Sequence, residues 1–568
     1  MSSVVLIGMP GAGKSTVGRQ LAELLDLPFV DTDTRIEQRC GMPCAEVITR
    51  QSEEEFRRIE AGVIAEVCAE EPAVIATGGG AVVDPLSRWH LWHAGTVIWL
   101  DAPDHILRNR LTNNPQLRPL TQNPEQLAAR RYERMPFYRA ADIHADASEQ
   151  VERLAASLVE KVRRHRSAAT PGRLLMHSRV RRDHPMGPRK ADVMFFDGVR
   201  ADQLTPVLTD VSTGECVVVA DENAAAALPA MMSNLPTERR LTFAAGEENK
   251  RLATVEQMLE FAASRRAERS DAWIAVGGGT TGDMVGCAAA LYMRGAPLIQ
   301  FPTTWLAMCD AAIGGKVAVD LSAAKNSAGA FWPPAAVVAD TRALHTLSAD
   351  LLLDGMGETV KSAIIGDPWL WDLIVERGQA ALRPGGSASE TEHAENPEHA
   401  APPPEHAAPP PEHAAPPLAQ PDLAARYAMV ERSALLKLGV VERDPFEQGE
   451  RRTLNLGHTI GHALEIESGY RLPHGRAVIL GLRAVAHMAA ARGAESTLQE
   501  QIDDVVATLG FDLTRSFDPA RVLAALRGDK KALRGKIRWI LPMDIGRVEE
   551  ADDISDTEIV AALEHIQA

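Results

Sequence analysis

A phosphate-binding pattern, GxxxxGK[ST], spans Gly8-Met9-Pro10-Gly11-Ala12-Gly13-Lys14-Ser15, between an apolar segment at Val4–Ile7 and a helical pattern at Ser15–Leu25. Glycines in a strand-to-helix turn let backbone N–H groups face phosphate oxygens, and the start of the helix adds positive potential. Lys14 would reach the phosphoryl group being transferred, and the Ser15 hydroxyl would hold Mg²⁺. The pattern predicts a nucleotide site that supports phosphoryl transfer.

Further motifs follow in the same segment: Asp31-Thr32-Asp33, Phe56-Arg57-Arg58-Ile59-Glu60, Thr77-Gly78-Gly79-Gly80, Leu117-Arg118-Pro119-Leu120 and Arg134-Met135-Pro136-Phe137-Tyr138. With the phosphate-binding loop, they make residues 1–166 resemble shikimate kinase. The resemblance implies ATP-dependent phosphorylation of the 3-hydroxyl of shikimate. The residue types agree with that substrate, because arginines suit its planar carboxylate and an aspartate suits its hydroxyls.

The kinase resemblance also implies residue roles. ATP would contact Gly11, Ala12, Gly13, Lys14, Ser15, Thr16 and Arg118. Shikimate would contact Asp33, Arg57, Gly79, Gly80 and Arg134. Asp31 would lie near Mg²⁺, and Arg118 would lie on a mobile lid over ATP. Lys14, Asp33 and Arg118 are the catalytic candidates, with Asp33 as the candidate base, although positioning and charge stabilisation carry more weight in phosphoryl transfer.

A second glycine-rich motif, Gly277-Gly278-Gly279-Thr280-Thr281-Gly282-Asp283, follows the predicted strand Trp273–Val276. Glycines after a strand permit close backbone approach to a pyrophosphate. The motif differs from GxGxxG and is weak evidence by itself. Its neighbours along the chain are Gly246-Glu247-Glu248-Asn249-Lys250, Pro302-Thr303-Thr304, Asp310-Ala311-Ala312-Ile313-Gly314-Gly315-Lys316, Lys325-Asn326, Gly357-Glu358-Thr359-Val360-Lys361, Leu454-Asn455-Leu456-Gly457-His458-Thr459-Ile460-Gly461-His462 and Pro473-His474-Gly475.

Together these motifs make residues 191–568 resemble 3-dehydroquinate synthase. The resemblance implies an N-terminal α/β domain that binds NAD, a C-terminal helical domain that binds metal, and an active site between them. The implied reaction converts 3-deoxy-D-arabino-heptulosonate 7-phosphate to 3-dehydroquinate and phosphate. The substrate is oxidised transiently, loses phosphate by elimination, is reduced again and closes by an internal aldol addition, so that NAD is recycled.

Spacing and resemblance point to different metal ligands. His458 and His462 are four residues apart, on one helix face, which is a familiar zinc geometry. The resemblance instead assigns Zn²⁺ or Co²⁺ to Glu358, His458 and His474, with His462 facing the substrate phosphate. We follow the resemblance, because two histidines and a glutamate leave a catalytic metal open positions for substrate oxygens.

The synthase resemblance carries over further contacts. NAD would contact Asp221, Asn223, Glu247, Lys250, Gly278, Gly279, Asp283, Thr303, Thr304, Lys325 and Asn326. The heptulosonate phosphate would contact Asp310, Lys316, Asn326, Lys361, Lys437, Arg451, Asn455, His462 and one of Lys530 and Lys531. The catalytic candidates are Lys316, Lys361, Lys437, Glu447, Arg451 and His462, with Glu447 in a water and proton network near the metal.

Composition and charge limit the remaining function classes. The 568 residues are 45% hydrophobic and 24% charged, which permits several packed cores. A net charge of −17 disfavours a duplex-wrapping nucleic-acid binder. The six cysteines form no CxxC pair, and no apolar run approaches the length of a membrane span, so we expect reduced thiols in a cytoplasmic protein without nucleic-acid or membrane partners.

The expected fold class is α/β, with a parallel-sheet kinase domain followed by an α/β NAD domain and a helical metal domain. We expect the kinase at 1–166, a linker at 167–190, the NAD domain at 191–345 and the metal and substrate domain at 346–568. Three copies of Pro-Glu-His-Ala-Ala-Pro-Pro between Pro397 and Pro417 predict an extended insertion at about 384–421. Loop-closure cost grows slowly with length, so the insertion is tolerated if its ends lie close.

Arg476 departs from the synthase pattern, which usually has glutamate there, and a cation two residues from His474 could weaken metal binding. Two alternatives stay open. One is another small-metabolite kinase joined to an NAD and metal polyol dehydrogenase, although polyols offer no anion to the cations. The other is a scaffold whose catalytic half has decayed. A homodimer through the synthase half is a further expectation, and coupling of the two activities is undecided.

Overall fold

The computed structural model describes residues 2–112, 124–167, 172–182, 184, 185, 187, 189–244, 246–322, 324–385, 420–512, 515–532 and 537–567, without the side chains of 124, 324 and 527–532. Arg118 and residues 386–419 of the expected insertion lie outside the described residues, as do the side chains of Lys530 and Lys531. The chain divides into two compact units, residues 1–303 with 311–341 and residues 304–310 with 342–568.

The N-terminal part of the first unit is a five-stranded parallel sheet with the strand order β2-β3-β1-β4-β5. Strand β1 is fully buried because helices cover the sheet on both faces, as parallel sheets require. Its elements are β1 Ser3–Ile7, α1 Lys14–Leu25, β2 Phe29–Asp31, α2 Thr32–Cys40, α3 Cys44–Arg50, α4 Glu53–Ala69, β3 Val74–Ala76, α5 Pro85–Ala94, β4 Gly95–Asp101, α6 Asp104–Thr112, α7 Pro124–Tyr138, β5 Ile143–Asp146 and α8 Val151–Ser167.

The rest of the first unit contains a seven-stranded sheet with the order β6-β7-β14-β11-β10-β8-β9, parallel except for the edge pair β6 and β7. It also contains a separate antiparallel ribbon of β12 and β13. Apolar side chains of alternating residues, such as Trp273 and Ile274 on β10, enter separate cores on its two faces. The elements are β6 Arg173–Arg182, β7 Arg189–Asp197, α9 Ala201–Val211, β8 Cys216–Asp221, α10 Glu222–Ala227, α11 Pro229–Ser233, β9 Arg240–Phe243, α12 Leu252–Ser264, β10 Ala272–Gly277, α13 Gly279–Leu291, β11 Leu298–Pro302, β12 Lys316–Leu321, β13 Ala324–Phe331 and β14 Ala336–Asp340.

The prediction of a linker over residues 167–190 is wrong, because Arg173–Arg182 forms strand β6, which pairs with β7. Asp192 on β7 accepts hydrogen bonds from Nε2 of His177 (2.7 Å) and Nε of Arg179 (2.8 Å) across the pair. Burial would raise the pKa of Asp192, but these hydrogen bonds lower it to about 2. Two basic residues of the expected linker, His177 and Arg179, therefore belong to an edge strand, where they pair with a buried carboxylate.

The two sheets of the first unit contact each other through this edge. A guanidinium nitrogen of Arg173 donates to the carbonyl oxygen of Gly95 (3.1 Å), and Nε2 of His93 lies 3.0 Å from a carboxylate oxygen of Asp197. Helix α7 also packs on β6. The five-stranded domain therefore rests on the antiparallel edge of the larger sheet.

The second unit is mainly helical, with one two-stranded antiparallel ribbon. The α/β class with parallel sheets and a helical C-terminal domain is thus confirmed. No helix in the described ranges is long and apolar enough to cross a membrane. The elements are α14 Ala349–Gly366, α15 Pro368–Ala381, α16 Leu423–Arg443, α17 His458–Glu467, α18 His474–Ala490, α19 Leu498–Leu509, α20 Pro519–Ala532, β15 Trp539–Asp544, β16 Arg547–Ala551 and α21 Asp556–Ile566.

The two described ends of the expected insertion are held together. Nε of Arg426 donates to the carbonyl oxygen of Ala381 (2.8 Å), and Nε of Arg377 donates to the Asp422 carboxylate (2.6 Å). The backbone N–H of Asp422 donates to the carbonyl oxygen of Ala380 (3.0 Å). This clamp joins α15 to α16 without residues 386–419.

We expect a chain in which eight glycine and serine residues replace residues 386–419 to fold as the full chain does. Because loop-closure cost grows slowly with length, shortening the connection about fourfold should lower that cost by roughly 1 kcal/mol, so stability should rise slightly or stay level. Urea unfolding of the shortened chain and of the full chain measures the two free energies of unfolding. The variant Arg426→Ala, which breaks the clamp, is the contrasting control and should destabilise the chain. A replacement that destabilises the chain as much as Arg426→Ala would contradict the prediction.

Candidate active sites

The phosphate-binding loop connects β1 to α1. Gly13 caps α1 with φ 93°, a left-handed conformation that glycine adopts without steric cost. Lys14 is the first residue of the helix and is 9% exposed. Its ammonium donates to the carbonyl oxygens of Gly8 (2.9 Å) and Met9 (3.1 Å). The loop therefore holds one cation beside the helix start, where phosphate oxygens bind.

The expected magnesium residues lie beside this loop. The hydroxyl of Ser15 donates to a carboxylate oxygen of Asp31 (2.6 Å). The other oxygen of Asp31 accepts from the backbone N–H of Asp33 (3.1 Å), so Asp31 caps α2 and fixes Asp33 in its first turn. Oxygen ligands in this arrangement suit Mg²⁺.

One cavity gathers all five residues predicted to bind shikimate. They come from α2, α4, the turn after β3 and α7, and they are Asp33, Arg57, Gly79, Gly80 and Arg134. Arg134 is 6% exposed, and one of its guanidinium nitrogens has no hydrogen-bond partner within the described ranges. Buried polar atoms without partners are costly, so a ligand carboxylate would complete this site.

Several residues of this cavity are not among those predicted from the sequence. Glu60 is 2% exposed, lines the cavity and forms an ion pair with Arg57, one turn earlier on α4. Burial raises the pKa of Glu60, and Arg57 opposes that rise. Arg130 also lines the cavity, and the Tyr138 hydroxyl donates to the Gly79 carbonyl (2.9 Å). The spacings Arg57/Glu60 and Arg130/Arg134 were the available signals.

A further arginine, Arg110 on α6, contacts the phosphate-binding loop. Its guanidinium donates to the carbonyl oxygens of Gly11 (3.3 Å), Ala12 (3.4 Å) and Ala147 (2.9 Å). No motif in the sequence singles out this residue. It fixes α6 against the loop and places a second cation near the phosphate site.

The predicted dinucleotide residues lie where the order of the seven-stranded sheet reverses. Strand β8 leads to β9 on one side, whereas β10 lies on its other side and leads to β11. Asp221 ends β8, and Gly278 and Gly279 follow β10 at the start of α13. Ligands of open parallel sheets bind at this kind of switch point, beyond the carboxyl ends of the strands.

Several predicted NAD contacts form one polar cluster in the first unit. The Lys250 ammonium lies 2.7 Å from the Asp283 carboxylate and donates to Asn326 Oδ1. The Lys325 ammonium lies 2.8 Å from the Glu247 carboxylate, which also accepts from the Thr280 hydroxyl (3.2 Å). The other predicted NAD residues, Asn223, Thr303 and Thr304, lie in α10, after β11 and at the start of the second unit.

The three metal ligands that the resemblance implies converge in the second unit. Glu358 on α14 is 1% exposed, and His458 and His474 are the first residues of α17 and α18. One carboxylate oxygen of Glu358 lies 3.4 Å from Nε2 of His458 and 3.3 Å from Nε2 of His474. His462, which spacing alone favoured, is exposed, and its ring centroid lies 5.2 Å from that of His458.

Glycine at position 475 lets α14 and α18 approach closely enough for these ligands to meet. A Cβ at Gly475 would lie 1.8 Å from the carbonyl oxygen of Asp354 on α14. The backbone N–H of Gly475 donates to the Asp354 carboxylate (2.6 Å), which locks the crossing. Because His474 precedes Gly475, its imidazole is brought against Glu358.

The electrostatics of this group suit a divalent cation. Burial, followed by Lys361, lowers the pKa of His458 to about 3, so this imidazole is neutral and able to ligate. Burial would lower the pKa of His474, but Glu358 and Glu465 raise it to about 10. Neither Glu358 oxygen makes a hydrogen bond of good geometry within the described ranges. A metal ion would replace a proton at His474 and bind the Glu358 oxygen that faces both histidines.

Two buried lysines adjoin the metal ligands. Lys361, one turn after Glu358 on α14, forms an ion pair with it. The Lys437 ammonium lies 2.6 Å from the Asp310 carboxylate, and that of Lys361 lies 3.9 Å from the same oxygen. Burial would raise the pKa of Asp310, but Lys437 and Lys361 lower it. If a metal ion took up the charge of Glu358, the two ammonium groups would share the single carboxylate of Asp310, which suits an anionic substrate.

The remaining predicted substrate residues separate into two groups. Arg451 is 3% exposed, and the Asn455 amide donates to the carboxylate of Glu447 (2.9 Å), so these three lie together in the second unit. Lys316 belongs to β12 of the first unit.

Arg476 does not face the metal ligands. Its guanidinium forms an ion pair with the exposed carboxylate of Asp350, in the first turn of α14. The positive charge of Arg476, where the synthase pattern usually has glutamate, is therefore neutralised by Asp350 at the surface.

Comparison with known proteins agrees with both resemblances. The family model of shikimate kinase matches residues 10–163. Those of the N-terminal and C-terminal parts of 3-dehydroquinate synthase match residues 240–354 and 410–532. The chain is 36% identical to a 3-dehydroquinate synthase of Xanthomonas axonopodis over 334 residues, which are 57% of this chain and 80% of that protein. It is 33% identical to that of Ruegeria pomeroyi over 67% of this chain and 96% of that protein.

A solved structure agrees with the fold of the synthase part. The 2-epi-5-epi-valiolone synthase of Streptomyces hygroscopicus, solved with NAD⁺ and Zn²⁺ bound, superposes with a TM-score of 0.55 at 24% identity and covers 66% of this chain and 96% of that protein. The chain belongs to the 3-dehydroquinate synthase family and carries, ahead of its synthase part, a domain of the shikimate kinase family.

Proposed function

We propose that the chain catalyses two reactions of aromatic-precursor synthesis. One is the ATP-dependent phosphorylation of shikimate to shikimate 3-phosphate. The other is the conversion of 3-deoxy-D-arabino-heptulosonate 7-phosphate to 3-dehydroquinate and phosphate. The observation that carries the proposal is the convergence of each implied residue set on its own site, around the cavity of Arg134 for the kinase and around Glu358 for the synthase.

In the kinase domain, Arg57 and Arg134 would bind the shikimate carboxylate, and Asp33 would accept hydrogen bonds from its hydroxyls. Glu60 would hold Arg57 in place through their buried ion pair. Lys14 would leave the carbonyl oxygens of Gly8 and Met9 to bind the transferring phosphoryl group of ATP. Ser15 and Asp31 would hold Mg²⁺, and Arg118 would contact ATP.

In the synthase part, Glu358, His458 and His474 would hold Zn²⁺ or Co²⁺, and the polar cluster around Lys250 and the Gly278 turn would hold NAD. When bound, the metal supplies a Lewis acid for substrate oxygens, and NAD supplies reversible hydride acceptance. Lys361, Lys437 and Arg451 would bind the anionic groups of the substrate and exclude water around them. The Glu447 carboxylate would hold a proton within reach of the substrate hydroxyls.

The buried cations favour this proposal over the polyol dehydrogenase alternative. Lys361 and Lys437 are 2% and 9% exposed and share the carboxylates of Asp310 and Glu358. With Glu358 bound to a metal ion, the carboxylate of Asp310 alone would face both ammonium groups, and a substrate with a carboxylate and a phosphate would compensate the remaining charge, whereas a neutral polyol would not.

The proposal includes the domain assignment, with the kinase at 1–166, the NAD domain at 191–345 extended by strand β6 and the start of β7, and the metal and substrate domain at 346–568. It also includes a homodimer through the synthase half, which sedimentation of the full chain measures. A cytoplasmic location is proposed because all six cysteines are free thiols.

A two-part assay of the purified full chain tests the proposal. We expect phosphate release from the heptulosonate phosphate that depends on both NAD and a divalent metal. We also expect ADP release that depends on shikimate. Absence of both reactions with metal supplied would overturn the proposal. Oxidation of a polyol by NAD, without phosphate release, would favour the alternative.

A further inference from the structure

The imidazole of His474 lies between two buried carboxylates. Its Nε2 atom is 3.3 Å from Glu358, and its Nδ1 atom is 3.3 Å from an oxygen of Glu465. Glu465 is 3% exposed and lies on α17, whereas Glu358 lies on α14. Each ring nitrogen of His474 therefore faces an acceptor from a different helix.

An ionised carboxylate only accepts hydrogen bonds, so Glu465 requires His474 to donate from Nδ1. With the proton fixed there, the neutral imidazole presents the lone pair of Nε2 toward Glu358 and His458. The backbone fixes the same tautomer at His458, because the Nδ1 atom of His458 lies 3.1 Å from the carbonyl oxygen of Leu456. Both imidazoles are thus aimed at one point through Nε2.

Helix α17 supplies both His458 and Glu465, which are seven residues apart and so lie on the same face two turns away from each other. The Glu465 backbone is fixed as well, because its carbonyl oxygen accepts from the Ser468 hydroxyl (2.7 Å) and the Tyr470 N–H (2.8 Å). Because these hydrogen bonds fix the backbone of Glu465, its carboxylate stays in place and limits rotation of the His474 ring.

We propose that Glu465 is a positioning residue that fixes the tautomer and ring orientation of His474 for metal binding. The inference rests on the proposed metal site of Glu358, His458 and His474. Outer partners of metal-bound histidines typically contribute about tenfold to a hundredfold to metal affinity. Glu465 would act only through His474, without touching metal or substrate.

The test titrates the metal-free full chain with Zn²⁺ against a chelator, and with Co²⁺ by its visible absorption. We expect E465Q to weaken metal binding by about tenfold to a hundredfold and to shift the Co²⁺ spectrum. Glu467→Gln is the matched control, because it removes a carboxylate from the same helix, two residues from Glu465, and should leave both readouts unchanged. NAD affinity and shikimate kinase activity verify that E465Q is folded. If E465Q does not fold, E465D is expected to weaken metal binding in the same direction.

The possible results distinguish failure of the role of Glu465 from failure of the proposed metal site. Metal binding by E465Q or E465D equal to that of the native chain, with binding abolished in Glu358→Gln, would overturn only the role of Glu465. Two metal ions in the native chain and one in E465Q would make Glu465 a ligand and also overturn it, since His462, Glu465 and His474 form a second group of suitable spacing. Unchanged binding in Glu358→Gln would overturn the metal site itself.

Discussion

Replacing Lys14 with alanine is expected to remove shikimate-dependent ADP release while leaving phosphate release from the heptulosonate phosphate unchanged. Lys14 is the one lysine of the phosphate-binding loop, and its ammonium is held by two loop carbonyl oxygens at 2.9 and 3.1 Å. Loss of a group that stabilises transition-state charge lowers kcat by roughly 10²–10³-fold. Steady-state kinetics of both reactions on one preparation measure the effect.

The same variant is expected to lower the free energy of unfolding by about 2 kcal/mol, which should leave the domain folded. The two hydrogen bonds of Lys14 each contribute on the order of 1 kcal/mol, and alanine is well tolerated at the start of a helix. Lys161→Ala is the matched control, because Lys161 is an exposed lysine of α8 in the same domain and should leave kinase activity unchanged. Kinase activity retained in Lys14→Ala would contradict the proposed role of the loop.

Lysine is rare in this chain, which helps to explain why such positions were predictable. Eleven of the 60 cationic residues are lysines, and eight of those eleven fall in the phosphate, NAD or substrate motifs. Arginine has taken most other cationic positions, whereas a compact ammonium on a flexible stem is kept in these motifs. We therefore expect Lys14→Arg to impair the kinase as well, although the charge is retained.

The parts of each site that come from continuous motifs could be predicted from sequence. The phosphate-binding loop is eight consecutive residues, and its conformation depends on local backbone freedom at Gly13. The contacts between motifs could not be predicted in the same way. Glu465 and His474 are nine residues apart, but they meet only because α17 and α18 pack against each other.

Strand β6 shows a different limit of sequence interpretation. Residues 167–190 are expected to form a linker between domains, because residue type alone cannot reveal a partner strand. The partner is β7, whose Asp192 compensates His177 and Arg179. The kinase domain rests on this strand, so a segment expected to separate two domains instead joins them.

Replacing Glu358 with glutamine is expected to abolish the synthase reaction and to leave the kinase reaction intact. Glutamine keeps the size of the side chain but removes the negative charge shared by His458, His474 and Lys361. Outer partners of metal ligands already contribute about tenfold to a hundredfold to affinity, so loss of a ligand should exceed a hundredfold. Zn²⁺ titration and phosphate release measure the two effects.

Stability and metal binding together identify the role of Glu358. The substitution leaves the ammonium of Lys361 buried, and among the described residues the remaining carboxylate near it is that of Asp310, at 3.9 Å. Removing one partner of a buried ion pair typically costs about 3–5 kcal/mol, so the free energy of unfolding of the metal-free chain should fall. Glu376→Gln, an exposed carboxylate of α15, should change neither quantity. If Glu358→Gln destabilised the chain but bound Zn²⁺ as tightly as the native protein, Glu358 would be a partner of Lys361 alone, and the metal would have to be held elsewhere.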